Sequence, residues 1–171
     1  MKKKIIYLLI IILAIVLQTS LLPIISKAGT AGDAVLMLVL AWTVVDGFFG
    51  FLPWAIVAGI LYDLASFEAL GSHVLVFIFV VYAVSFFSRR LSIELKGIGI
   101  FLILVFIFGA TIFSHLLLEA LWALKVRALG QYWKLLGNFG WLFWQTIYDI
   151  FIFAIWFVFI KKIKKFFILD V

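Results

Sequence analysis

Residues 34–65 read Ala34-Val-Leu-Met-Leu-Val-Leu-Ala-Trp-Thr-Val-Val-Asp46-Gly-Phe-Phe-Gly-Phe-Leu-Pro53-Trp-Ala-Ile-Val-Ala-Gly59-Ile-Leu-Tyr-Asp63-Leu-Ala65. Two apolar runs, 34–48 and 53–66, flank a glycine- and proline-rich turn between Asp46 and Pro53. Pro53 suits the first position of a new helix, where its missing N–H costs nothing. Each run is shorter than the ~20 residues that cross a bilayer. The pair is therefore two short spans or one re-entrant hairpin, and both return the chain to the side it entered from. Reading the runs as a single crossing would carry Arg89 and Arg90 to the side opposite most other basic residues, which disfavours it.

Four further apolar runs surround this stretch, at 5–25, 74–88, 98–121 and 141–160. Hydrophobic residues make up 68% of the 171-residue chain and charged residues only 13%, about half the charged share of a soluble domain. The fold class that follows is all-α: one integral membrane domain over 1–171, a polytopic bundle of six transmembrane helices. Ten of the 14 Lys and Arg residues (Lys2, Lys3, Lys4, Arg89, Arg90, Lys96, Lys161, Lys162, Lys164 and Lys165) then fall on one side, which places both termini in the cytoplasm. The net charge of +6 is accounted for by this topology and by anionic lipid, and it implies no nucleic acid. Lys2–Lys4 and Ser26-Lys27-Ala28 mimic a signal peptide, but the apolar run to Ile25 exceeds a usual h-region and reads as a retained span. Residues 124–138 are either a short amphipathic surface helix, with Leu129, Tyr132, Trp133 and Leu136 on one stripe, or a plain loop.

Polar groups at membrane depth are the candidate functional residues. Asp63 follows Gly59 by one turn, and Ala55 and Gly59 form a small-xxx-small pair that admits a close helix. Asp63 either meets a partner helix or polar ligand there, or caps the helix that begins near Ser72. Thr111, His115 and Glu119 recur every four residues on one face, with Ser114 beside them. With His73 they are conceivable metal ligands, but two histidines without a His-Glu-x-x-His motif favour interhelical hydrogen bonds, and no metal or other cofactor is expected. Trp141, Trp144, Gln145, Tyr148 and Asp149 form a polar-aromatic stripe. Asp149 lies near mid-span, where it should face the interior, be protonated or find a partner. Gln18, His115, Glu119 and Asp149 are the expected buried polar residues. The chain has no cysteine, so disulfide, thiolate and cysteine-metal chemistry is excluded. Gly-x-Ser-x-Gly, a phosphate-binding loop and usefully spaced carboxylates are all missing from the sequence, so no enzyme activity is expected.

Several motifs together resemble the rod shape-determining MreD family. They are Leu17-Gln18-Thr19-Ser20-Leu21-Leu22-Pro23, Asp33 ahead of Leu36-Met37-Leu38-Val39-Leu40, Gly47-Phe48-Phe49-Gly50, Gly59-Ile60-Leu61-Tyr62-Asp63, Leu70-Gly71-Ser72-His73, Tyr82, and the pair Arg89-Arg90. The resemblance covers about residues 5–90, and the second half matches in hydropathy. It implies a non-enzymatic scaffold in the bacterial inner membrane that serves cell elongation. Its implied partners are MreC-like, MreB-like and RodA-like proteins and a penicillin-binding transpeptidase, and its implied role is to help direct lateral peptidoglycan synthesis. Gly59, Asp63, Gly71 and His73 would then form the partner-binding or helix-packing surface. The alternative is a substrate-binding component of an energy-coupling vitamin transporter, with Asp63, His73, His115 and Glu119 lining a ligand pocket.

Overall fold

The computed structural model describes residues 2–25, 32–67, 69–91, 98–126 and 139–167, and within them the only regular secondary structure is helical. The elements are α1 (Lys2–Val16), a π-helical turn (Leu17–Leu21), α2 (Leu22–Ile25), α3 (Ala34–Ser66), α4 (Ser72–Leu91), α5 (Ile98–Val126) and α6 (Phe139–Phe167). Four stretches are long and apolar enough to cross a membrane: Lys3–Ile24, Ala34–Ser66, Gly99–Leu121 and Leu142–Phe166. Ser72–Phe87 is a shorter apolar helix. Residues 127–138, and with them most of the expected surface helix, lie outside the described residues.

α3 is broken at one residue. Gly47 takes φ 73°, ψ −178° inside an otherwise helical run, a conformation open essentially to glycine alone. The break folds the two limbs of α3 onto one another. The rings of Trp42 and Phe51 stack with centroids 5.4 Å apart. Tyr7 touches both Trp42, at 4.3 Å, and Trp54, at 5.1 Å. In an unbroken helix those two tryptophans would stand about 18 Å apart along the axis. The expected turn from Asp46 to Pro53 thus shrinks to Gly47, and residues 48–52 are helical. Pro53 does not open the second limb but lies inside it. It is exposed and is the sixth residue after the break, so the limb forgoes there the bond that the N–H at this position would make to Phe49 O.

The first limb forms the centre of the molecule. All ten residues from Ala34 to Thr43 are buried, as expected for a helix that is apolar on every side. α1, α4 and α6 each pack against α3. α1, by contrast, turns Ile5, Leu9, Ile12 and Val16 outward, as α6 does Phe151, Ile155 and Val158.

The first span also departs from ideal geometry. Leu22 N–H donates to Leu17 O, five residues back. A proline clashes with the carbonyl four residues before it, here Thr19, and the wider π turn ahead of Pro23 relieves that contact. Thr19 Oγ1 donates to Ile15 O at 2.9 Å.

Candidate functional site

Carboxylates organise both ends of the bundle. At one end Asp33 is the N-cap of α3, and its Oδ1 accepts from Leu36 N at 2.9 Å, as a capping aspartate should. Its own N–H donates to Asp149 Oδ1 at 2.7 Å, and the next N–H, of Ala34, donates to Gln18 Oε1 at 2.6 Å. The first N–H groups of a helix have no partner within it. At this buried terminus the partners come from α6 and from the π turn. Asp149 Oδ2 lies 2.7 Å from Thr111 Oγ1 of α5, so one fully buried carboxylate joins α3, α5 and α6. The approach is tight: a Cβ on Gly32 would stand 2.9 Å from Asp149 Oδ1. Burial pushes the Asp33 carboxyl above the ordinary carboxylate range, while the Leu36 N–H and the nearby His73 and His115 rings pull it back.

Asp63 lies at this same end, since α3 has doubled back. It is buried, and its Oδ2 accepts from Gly71 N at 2.7 Å. Its Oδ1 accepts from His73 N at 3.1 Å and stands 2.6 Å from His73 Nδ1. Of the two roles open to Asp63, capping the helix near Ser72 is the one seen. Gly71 sits at φ 97° and Phe67 at φ 57°, so the chain reverses between α3 and α4 within a few residues. Tyr62 covers the His73 ring at 4.3 Å. Gly59 meets α4 of the same chain, where an added Cβ would lie 2.7 Å from Val74 Cα. Gly59, Asp63, Gly71 and His73 are therefore brought together, and what they hold is the corner between α3 and α4. That corner projects Phe67, 95% exposed, and Leu70, 70% exposed.

The expected polar face of α5 is divided. Thr111 joins Asp149, His115 Nε2 stands 2.8 Å from Gln145 Oε1, and Glu119 is half-buried one turn beyond. His73 and His115 have different partners, and no group of three or more metal-ligand side chains occurs among the described residues. The stripe on α6 separates as well: Gln145 and Asp149 turn inward, while Trp144 and Tyr148 are exposed.

At the opposite end a second node escaped the sequence reading. Asp46 ends the first limb of α3, where its Oδ2 accepts from Trp42 Nε1 at 3.0 Å and from the Tyr7 hydroxyl. Its Oδ1 pairs with Lys164 Nζ at 2.7 Å. Tyr7 belongs to α1 and Lys164 to the last turn of α6, so both chain ends meet here. The i,i+4 spacing of Trp42 and Asp46 was the only signal in the sequence. Tyr7 and Lys164 are too distant in sequence to be connected with it.

Compared with family models, residues 1–167 match the model described as rod shape-determining protein MreD. The match thus extends through the second half, beyond the motifs quoted above. Searches among curated proteins and among solved structures found no significant match.

Proposed function

The chain belongs to the rod shape-determining protein MreD family, and from that premise we propose that it is a scaffold that holds an MreC-like partner and so helps direct lateral peptidoglycan synthesis, itself catalysing no step. Membership makes it a shape-determining, multi-pass protein of the bacterial inner membrane. The finer reading rests on one observation: Asp63 spends both carboxylate oxygens inside the chain to fix the α3–α4 corner, from which Phe67 and Leu70 project. Groups so fully used internally are poorly suited to bind a ligand, whereas exposed large apolar residues on a rigid corner suit a protein contact. Gly59, Asp63, Gly71 and His73 are the frame of that surface.

In this reading six helical segments lie in the membrane with both termini in the cytoplasm. The α3–α4 corner, remote from Asp46 and Lys164, faces the periplasm, where an MreC-like protein carries its soluble part. MreB-like, RodA-like and transpeptidase partners are reached through that complex. The first limb of α3, about 20 Å long, falls short of a ~30 Å hydrocarbon core and is shielded by its neighbours. Single cysteines placed in this cysteine-free chain test the orientation. Position 70 should react with a membrane-impermeant maleimide from outside and position 165 only from inside; the reverse pattern would overturn the topology.

The function is tested by co-purification with a tagged MreC-like protein in mild detergent. The pair Phe67→Ser and Leu70→Ser should lower recovery at least tenfold while leaving the melting temperature unchanged. Undiminished recovery would remove the corner as the docking surface. Recovery of transporter ATPases with a bound small molecule would favour the vitamin-transporter alternative, although the described apolar cavity is lined by none of Asp63, His73, His115 and Glu119.

A further inference from the structure

α1 and α6 both pack on α3 and leave a seam between them. In it lies an apolar cavity of about 310 Å³, walled by Leu13, Leu17 and Leu21 on one side and by Ile152, Ile155 and Phe159 of α6 on the other, with Ala34 also in contact. Leu17 and Leu21 are the first and last residues of the π turn. Polar atoms contribute almost nothing to these walls, and a cavity of that kind stays free of water. Leu13, Leu21, Ile155 and Phe159 are also exposed on the outer surface, so the cavity opens sideways onto whatever surrounds the spans.

Its dimensions select the occupant. Leu13 and Leu21 are eight residues apart, about 12 Å along the first span. The cavity volume of 310 Å³ spread over that length gives a mean cross-section of about 26 Å². A helix is about 10 Å across and presents about 80 Å², so no helix of a partner or of a second copy enters. A single hydrocarbon chain does. At about 30 Å³ for a water-sized group, the cavity takes roughly ten methylenes.

The face of α6 that lines the cavity continues to a polar group. Tyr148 precedes Ile152 by four residues, Ile155 by seven and Phe159 by eleven, which keeps all four on one helical face. A Cβ on Gly32 would stand 2.7 Å from Ile152 Cδ1 and 3.1 Å from Tyr148 Cβ, so Tyr148 is level with the approach to α3. Side chains of a helix lean toward its N-terminus, which for α6 carries the Tyr148 hydroxyl away from the cavity and toward the membrane surface. The side chain is exposed, and no described residue bonds its hydroxyl. Tyr148 and Phe159 stand about 16 Å apart along the axis, half of a ~30 Å hydrocarbon core. The seam is thus one leaflet deep, with a hydroxyl donor near the surface and apolar walls to the midplane.

We propose that a glycerolipid of the leaflet at the Asp33 end places one acyl chain in this seam, and that its ester carbonyl accepts the Tyr148 hydroxyl. No charge takes part, so the headgroup does not enter the recognition. The site requires only that the spans lie in a bilayer, and it stands whether or not an MreC-like protein docks at the α3–α4 corner.

Trp156 reports on the chain. It lines the cavity and is only 5% exposed, so bilayer lipid reaches it through the seam. The full chain is reconstituted in ester-linked diacyl or in ether-linked dialkyl phosphatidylcholine, and diacyl phosphatidylcholine brominated at mid-chain is added in increasing proportion. Quenching of Trp156 is read as the difference between wild type and Trp156→Phe. One net hydrogen bond is worth about two- to tenfold in affinity. Half-quenching should therefore need a mole fraction lower by that factor in the ether host, which offers Tyr148 no ester carbonyl, than in the ester host. Tyr148→Phe should remove the difference between hosts. Leu17→Phe, which puts a ring across the channel, should at least halve the maximal quenching. Equal mole fractions in the two hosts for wild type would overturn the site, because an ordinary boundary lipid makes no such distinction. A difference between hosts that survives in Tyr148→Phe would overturn it as well, and absence of quenching in both hosts would exclude the chain from the seam.

Discussion

The carboxylate of Asp149 accepts the backbone N–H of Asp33 at 2.7 Å across 116 residues of sequence, and with its other oxygen meets Thr111. An acidic side chain in the first third of the last apolar span, and not at its middle as the sequence suggests, is thus the outside partner of a buried helix start.

Asp149→Leu keeps the branched shape, adds bulk and removes both acceptors. The Asp33 N–H would be left buried without a partner, which costs roughly 1–3 kcal/mol. A lowered melting temperature in detergent, with Asp149→Asn falling between the variant and wild type, is the expected result. An unchanged melting temperature for Asp149→Leu would show that this bond contributes nothing.

At the other end, Lys164→Met leaves Asp46 without its cation in a nearly enclosed site. Breaking a buried pair on one side costs about 3 kcal/mol. Tyr7→Phe weakens the same node, so the two substitutions should be non-additive by at least ~0.5 kcal/mol. Strict additivity in a double-mutant cycle would separate the two contacts.

Gly47→Ala tests the break in α3. Nothing lies within 4 Å of an added Cβ, so the effect is purely conformational. The φ of 73° should make the variant less stable by about 1–3 kcal/mol. Gly109→Ala, in equally open space inside α5, should be neutral or stabilising by up to ~1 kcal/mol. Equal effects at the two positions, in matched thermal unfolding, would contradict the strained break.

Gly59→Ala tests the crossing of α3 and α4. The new methyl would meet Val74 backbone at 2.7–2.8 Å, which cannot yield as a side-chain tip would. Overpacking of this kind costs about 1–3 kcal/mol, and Gly59→Leu should cost more. Wild-type stability in both variants would mean that the helices are not in contact there.

Much of the fold was legible because membrane depth leaves few choices. The apolar runs, the reversal at Asp46–Pro53 and the capping of the helix near Ser72 by Asp63 all depend on local patterns, while the grouping of Asp63 with Gly71 and His73 came from the family resemblance. What escaped depends on pairing. The spacing of Ala55 and Gly59 announces a close helix but not whose, and the answer is α4 of the same chain. Asp149 announces a need for a partner, yet the partner is a main-chain N–H with no signature in side-chain sequence. Asp46 read as a turn residue because its contacts, Tyr7 and Lys164, come from opposite ends of the chain. Pro53 was placed at a helix start because proline favours that position. Gly47, whose backbone angles no other residue would accept, set the boundary instead.

The enclosure of Ala34–Thr43 has a consequence for biogenesis. During synthesis at about 5–20 residues per second, Asp149 emerges some 6–23 s after Asp33. Over that interval the start of the central limb can have Gln18 but not its second acceptor. Insertion of the earlier spans is therefore not the last step in maturation: the limb is sealed only when α6 arrives. A nascent chain arrested before Phe139 should leave a cysteine at position 34 open to modification, and completion of α6 should close it.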